Sequence, residues 1–380
     1  MKLLIHDLNR EEFNNIADKY EDYTIVADEG TIRPCIGCFS CWNKTPGKCV
    51  IEDGYDNMGY LIHHAEEVTV ISRYTYGGFS SFVKNVFDRC LGYVLPHFEL
   101  VDGESHHQKR YDETKPFTFI FYGHDLSEQD RQSAIRYVNA VCTNMRAQVK
   151  DVVFEEKTEE TKERNKENET SGKIVLLNAS MRFKDGNSAA LAKELKKRIN
   201  KESELIDLSM YLNRIDELMK QLEDVETLVL CTPLYVDGLP SQLIRLLENF
   251  ERNYTGKAKK IHVLANMGLY ESRQLVNLLS QVKKWCELMS FEYGGGVAIS
   301  AGELVGGLLK AIPLEKGFTR KIAKAQDSLA KAIDDNEKID DIYTGADSFP
   351  RFLYMAIANS GWKKMAKANG IDPKELYRKL

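Results

Sequence analysis

Residues 173–188 read KIVLLNASMRFKDGNS. Ile174 to Leu177 form an unbroken aliphatic run, the composition of a strand buried on both faces of a parallel sheet. A polar turn follows, and an amphipathic pattern over 188–200 starts at Ser188. Strand, short polar turn and helix make the repeating unit of a doubly wound α/β sheet. The same rhythm continues downstream, with strands expected near 204–207, 226–231, 260–265 and 291–299 and helices near 211–222, 240–250, 271–289 and 318–334.

Upstream the rhythm is already present. Strands are expected at 3–6, 24–27, 67–72, 116–122 and 149–154, and helices at 10–20, 55–64, 79–91 and 128–145. Five strands interleaved with crossover helices favour the strand order 2-1-3-4-5 in each half. The expected fold class is therefore α/β, with two tandem flavodoxin-like, doubly wound, five-stranded parallel sheets. Residues 155–170, EEKTEETKERNKENET, hold eleven charged side chains and no apolar one, so they cannot bury a face. The expected division is a first domain at 1–154, a charged linker at 155–172, a second domain at 173–335 and a helical extension at 336–380.

Length and composition agree. The 380 residues suit two domains, and 43% hydrophobic with 29% charged residues is a globular balance. A net charge of −5 argues against a general nucleic-acid binder, which needs excess cation to displace counterions. No apolar run reaches the ~18–20 residues of a membrane helix. The first residues, MKLLIHD, are too short an apolar run for an export signal, so the expected compartment is the cytoplasm, where thiols stay reduced.

Three loops of the second half should meet beyond the carboxyl ends of its strands, where ligands of open α/β sheets collect. In the first, 178–188, Ser180 and Ser188 offer hydroxyls, Asn187 an amide and Arg182 a cation at a helix start, a set suited to a phosphate monoester. The same residues could form an ordinary polar turn capped by Ser188 or Asn187. It is neither a Walker A loop nor a G-x-G-x-x-G fingerprint. The second loop, TPLYVDGLP at 232–240, offers Thr232, Pro233, Leu234, Tyr235 and a backbone freed by Gly238, suited to a flat ring. The third, 265–272, adds Asn266, Met267 and Gly268. A phosphate grip beside a flat apolar slot describes a flavin mononucleotide site.

On these residues the second half resembles the NADPH-dependent FMN reductase branch of the flavodoxin-like superfamily. Ser180, Arg182, Asn187 and Ser188 match that family's phosphate loop, while its Gly and Pro are missing. Thr232, Pro233, Tyr235, Pro240 and Leu243 match its ring loop, and YGGGVAISAG at 293–302 resembles its glycine-rich last strand. The resemblance implies FMN as cofactor, NAD(P)H as co-substrate, and transfer from nicotinamide via flavin N5 to a small-molecule acceptor such as a quinone, nitro compound or flavin. The alternative is a non-catalytic electron-transfer protein that serves a redox partner. No nucleophile–base triad stands out, so no catalytic side chain is named.

The first half resembles the superfamily at 72–84, SRYTYGGFSSFVK, which parallels 231–244. A tandem duplication is the economical explanation, and because family members commonly dimerise, an intramolecular pseudo-dimer is expected. The loop after its first strand, HDLNREEF at 6–13, has no phosphate-binding row, and Glu11-Glu12 would repel one. This half carries CIGCFSCWNKTPGKC at 35–49, a C-x2-C-x2-C-x7-C pattern similar to the compact motif of iron–sulfur flavoproteins. Cys35, Cys38, Cys41 and Cys49 could hold a [4Fe–4S] cluster or zinc, act as redox thiols, or pack a structural loop. His106 and His107 are expected on a polar surface loop. Cys90, Cys142, Cys231 and Cys286 lie on apolar patterns and are expected in the core.

Overall fold

The structure is a computed structural model that describes residues 1–157, 172–182, 186–309, 311–346 and 348–380. The chain divides into two compact units, Met1–Glu160 with Met355–Leu380, and Thr161–Tyr354. In the first, β1 (Lys2–His6), α1 (Arg10–Asn14), β2 (Tyr23–Ala27), α2 (Ser40–Asn43), α3 (Met58–His64) and β3 (Val68–Arg73) come first. Then follow α4 (Ser81–Arg89), β4 (Val94–Val101), β5 (Glu104–Lys109), β6 (Pro116–Gly123), α5 (Glu128–Asn144) and β7 (Gln148–Glu156). The sheet order β2-β1-β3-β6-β7 is the expected 2-1-3-4-5, and every pairing is parallel. Of the expected linker, Glu155 and Glu156 close β7, and 158–171 lie outside the described residues.

Period-two alternation on β6 sorts its side chains. Phe117, Phe119 and Phe121 are buried, and Phe79 stacks on Phe119 and Phe121 at 5.8 Å and on Phe87 at 4.8 Å. Ile120 and Tyr122 join Leu4, Leu8, Ile71 and Phe13 in a separate cluster. Between α4 and β6 the chain forms an antiparallel hairpin, β4–β5, in place of the expected polar loop. Its turn is Asp102-Gly103, both at positive φ, and an Asp-Gly pair flanked by strand residues is a direct hairpin signal that the polar composition obscured. His106 and His107 therefore stand on β5 and not in a surface loop. His106 is buried and shares a 2.7 Å hydrogen bond with Asn144, and His107 lies between Trp42 (4.7 Å) and Phe98 (5.0 Å).

The second unit contains β8 (Ile174–Asn178), α6 (Asn187–Arg198), β9 (Ser203–Asp207), α7 (Ile215–Gln221), β10 (Thr227–Pro233), α8 (Ser241–Asn253) and β11 (Lys260–Asn266). It continues with α9 (Val276–Met289), β12 (Glu292–Ile299), α10 (Gly302–Leu308), α11 (Arg320–Asp335) and β13 (Ile342–Thr344). Its order β9-β8-β10-β11-β12-β13 is again 2-1-3-4-5, with β13 as a sixth parallel strand at one edge. All five residues of β8 are buried, as its aliphatic run required. α6 buries Leu191, Ala192 and Leu195 and ends on Lys196, Lys197 and Arg198, cations favoured at a helix C-terminus. The 293–296 run is explained by packing. A side chain on Gly294 would overlap the His262 ring, and Gly295 at φ +90° brings the backbone against the Ile339 carbonyl.

The last helix, α12, runs Arg351–Ala368. Residues 355–380 count with the first unit, where Trp362 packs edge-on against Trp42 at 5.1 Å and Phe39 at 5.4 Å. All four scattered cysteines are buried. Among the described residues, no helix is long and apolar enough to cross a membrane.

Burial pushes His6, His97, His107 and His262 each down to about 4, so they fold neutral. An unfolded chain takes up those protons near pH 6.5, so it binds more protons than the native state between about 6.5 and 4. Stability therefore falls as pH drops through that window. The urea midpoint should be clearly lower at pH 5 than at pH 7.5; equal midpoints would contradict the neutral burial of these rings.

Candidate functional site

In the second unit the loop after β8 is held by its own side chains. Asn178 donates from Nδ2 to Asp207 Oδ1 at 2.6 Å, and its Oδ1 accepts from the Ser180 N–H at 3.2 Å. Ser180 Oγ accepts from the Arg182 N–H at 3.3 Å. A Cβ on Gly186 would come within 2.8 Å of that hydroxyl, so the loop folds back closely where α6 begins. Ser180 and Ser188 are buried and Arg182 is exposed. Residues 183–185 lie outside the described residues. The first-turn N–H groups of α6 lack intrahelical acceptors by construction, which makes this a favourable place for an anion.

The three expected loops are joined by hydrogen bonds. Ser188 Oγ donates to Asn266 Oδ1 at 2.6 Å, which ties the first turn of α6 to the end of β11. The Leu234 N–H donates to the Asn266 carbonyl at 2.8 Å, which ties in the loop after β10. Gln242 Nε2 donates to the Ala179 carbonyl at 3.1 Å. Within 232–240, Tyr235 and Gly238 exchange both backbone hydrogen bonds at 3.1 and 3.0 Å. The two residues between them, Val236 and Asp237, have φ of +36° and +60°. A β-branched residue at positive φ is strained by roughly 1–3 kcal/mol, and such strain persists only where the surroundings hold it. Here Gln281 Oε1 anchors the turn by accepting from the Leu239 N–H at 2.8 Å. Thr232 is buried, and its hydroxyl is turned onto the Pro233 carbonyl at 3.1 Å. Leu234 and Tyr235 stay half-buried at the rim.

The third loop presents backbone more than side chain. Met267 is buried, with its N–H on the Ile299 carbonyl at 3.0 Å. The Gly268 carbonyl accepts from the Tyr354 hydroxyl. Asn187 points its amide at Gly306 of α10, a helix absent from the sequence-based expectation. Burial raises the pKa of the Glu303 carboxyl, on the same helix, and the Arg182 charge opposes the shift. Its signal was an acidic residue directly after the glycine-rich strand, in the place where strand ends gather.

Residues 172–297 match the NADPH-dependent FMN reductase family. The match lies wholly within the second unit and includes all three loops. No curated protein matches the chain in sequence. Among solved structures, the Trp repressor binding protein from Bacillus subtilis aligns at 18% identity over 37% of this chain and 99% of its own, with a TM-score of 0.29. An azoreductase from Bacillus anthracis str. Sterne aligns at 15% identity over 43% and 99%, with a TM-score of 0.30. An FMN-dependent NADH-azoreductase from Bacillus anthracis str. Ames Ancestor, in complex with FMN, aligns at 11% identity over 52% and 97%, with a TM-score of 0.23.

The same edge of the first unit has the same frame and different contents. Thr75 and Gly78 exchange backbone hydrogen bonds at 2.9 Å around Tyr76 and Gly77, both at positive φ. The Tyr74 N–H donates to the Tyr122 carbonyl at 2.8 Å, as Leu234 does to Asn266. Here, however, Asp7 brings a carboxylate to the edge. It accepts from the Arg73 N–H at 3.0 Å and the Tyr122 hydroxyl at 3.0 Å, with the Ser80 hydroxyl as a third donor. Burial pushes its carboxyl up, and those donors oppose the shift. Glu12 caps α1 through Asn9 and pairs with Lys157, whose ammonium sits 4.1 Å over the Tyr122 ring.

The cysteine loop is a built structure. Gly37 and Phe39 at positive φ turn the chain twice between Cys35 and Cys41. Arg89 donates to Cys49 Sγ at 3.1 Å while gripping Asp53 at 2.9 and 3.0 Å. Burial, Asp88 and the thiols of Cys49 and Cys38 push Cys35 up to about 12. Burial and the other three thiols push Cys41 up as well. Among the described residues, no three His, Cys, Asp or Glu side chains are placed to hold a metal ion. Arg110 is buried and donates to the carbonyls of Gly92, Leu376 and Arg378 at 2.6–2.8 Å.

Asp7→Ala should lower stability by about 1–3 kcal/mol, the cost of stranding buried donors. Asp7→Asn, which keeps an acceptor and removes the buried charge, should lose less. Urea unfolding of both variants checks this; equal losses would mean that Asp7 acts through its charge alone.

Proposed function

We propose that the second unit binds FMN and that the protein is an NAD(P)H-dependent oxidoreductase passing electrons to a small acceptor such as a quinone, nitro compound or flavin. The observation that carries this is the Ser188–Asn266–Leu234 chain of hydrogen bonds, which joins a phosphate-type loop to a ring-type loop within the matched segment. The donor set fits the cofactor. Ser180, Asn187, Ser188 and the start of α6 would surround the phosphate, with the Arg182 guanidinium at the mouth. Thr232, Pro233, Leu234, Tyr235 and Gly238 would line the ring side, with Asn266, Met267 and Gly268 supplying backbone groups. Bound flavin would supply two-electron exchange between nicotinamide and acceptor; the protein binds, orients and shields.

Arg182→Ala should weaken FMN binding roughly 10- to 100-fold, the range of one hydrogen bond to a charged group, with an unchanged melting temperature. NAD(P)H oxidation with added quinone should fall in parallel at subsaturating FMN. A protein that takes up no FMN and oxidises no NAD(P)H would refute the reading.

A second reading, an electron-transfer protein with a [4Fe–4S] cluster in the first unit, rests on the C-x2-C-x2-C-x7-C spacing of Cys35, Cys38, Cys41 and Cys49. Near-stoichiometric iron and acid-labile sulfide in anaerobically purified protein would support it, and their absence would oppose it.

A further inference from the structure

Helix α6 runs on past the proposed phosphate grip, and its later turns border a groove. Asn187, Ala190, Glu194 and Lys197 recur three and four positions apart, so they form one stripe along the helix. Helix α10 lies against the start of that stripe because glycines let it approach. The Gly302 N–H donates to the Met267 carbonyl at 2.7 Å, and any side chain at Gly306 would overlap the Asn187 amide. Past that contact a groove of about 550 Å³ lies between Ala190, Lys193, Glu194 and Lys197 on one side and Gly306 and Leu309 on the other. Lys196 also lines it.

The lining combines an apolar floor with surplus cations. Ala190, Leu309 and the bare backbone of Gly306 suit a flat ring, and the volume is that of a small-molecule site. Glu194 is the one carboxylate in the lining, and Lys197 holds it at 2.6 Å. The nearby acids Glu315 and Asp327 are both taken by Arg198. Lys193 and Lys196 are exposed and, among the described residues, make no ion pair. The helix dipole favours cations in the last turn only, so it does not account for Lys193. At a rise of about 1.5 Å per residue, Lys193 and Lys196 stand about 9 and 14 Å along α6 from Asn187. An anion held by these two lysines is therefore not the flavin phosphate.

We infer that this groove takes the adenosine end of the reductant, with Lys193 and Lys196 on its 2′-phosphate, so that NADPH is preferred to NADH. This rests on the FMN reading of the neighbouring site. The 2′-phosphate is the one chemical difference between the two nucleotides, and it brings about 1.5 to 2 negative charges at neutral pH. Two unmatched ammonium groups on flexible stems suit such a group, and the apolar floor suits the purine beside it. Both lysines set specificity and stand away from the reacting atoms.

Two measurements on FMN-loaded full-length protein test this. The first is kcat/KM for NADPH and for NADH with a quinone acceptor, in wild type and in the Lys193→Gln/Lys196→Gln double variant. Wild type should favour NADPH at least about tenfold, and the double variant should lose about tenfold of that ratio, the scale of one hydrogen bond to a charged group. The second is calorimetric binding of 2′,5′-ADP and 5′-AMP, which requires no turnover. Wild type should bind 2′,5′-ADP about tenfold more tightly than 5′-AMP, and the double variant should bind the two alike. A wild type without preference in either measurement would overturn the proposal. So would an unchanged ratio in a double variant of wild-type melting temperature, or a matching loss of FMN affinity, which would place the lysines in the flavin grip. A wild type that takes up no FMN would overturn the FMN reading itself, and this proposal with it.

Discussion

Parallel pairing decides where the loops of this protein can leave its sheets. Asn178 pairs with Cys231, and Pro233 with Asn266, so β8, β10 and β11 end at one edge of their sheet. Every loop that follows one of these strands must leave from that edge. The backbone bond from Leu234 to Asn266 then extends the ladder one step past the strand, and the Ser188 hydroxyl closes the group from the side. The residues that could hold a phosphate and those that could hold a ring are neighbours because the sheet leaves them no other place.

The first unit shows how little is needed to change what that edge can do. Asp7 and Ala179 occupy equivalent positions: the N–H of each donates to the third strand, at Ile71 and Cys231. With Ala179 at that position, the second unit gives its carbonyl to Gln242 and leaves the following turn to Ser180 and Arg182. With Asp7, the chain brings its own carboxylate and spends the Arg73, Tyr122 and Ser80 donors on it. A buried carboxylate is tolerated only when so satisfied. Tyr122, where the second unit has Asn266, adds ring volume and packs with Leu8 and Phe13.

Both sheet orders and most element positions were legible because buried parallel strands write themselves as aliphatic runs with amphipathic helices between. The misses were of a different kind. The β4–β5 hairpin carries its signal in two residues, Asp102 and Gly103, inside a stretch whose histidines read as polar loop. His107 is half-buried because Trp42, distant in sequence, packs against it, and local pattern holds no record of such a partner. α10 has seven residues and three glycines, too short and too glycine-rich for a periodicity argument, so Glu303 went unseen. The candidate loops themselves were legible as polar and glycine-bearing ends of strands. Their internal wiring, such as Ser188 to Asn266, depends on tertiary contacts across 78 positions.

If FMN binds the second unit and Asp7 fills the matching edge of the first, each chain carries one FMN. Flavin absorbance after removal of free ligand gives the amount bound to the full chain at saturation, and one FMN per chain is expected. Two per chain would contradict the filled edge of the first unit, and none would contradict the flavin site of the second.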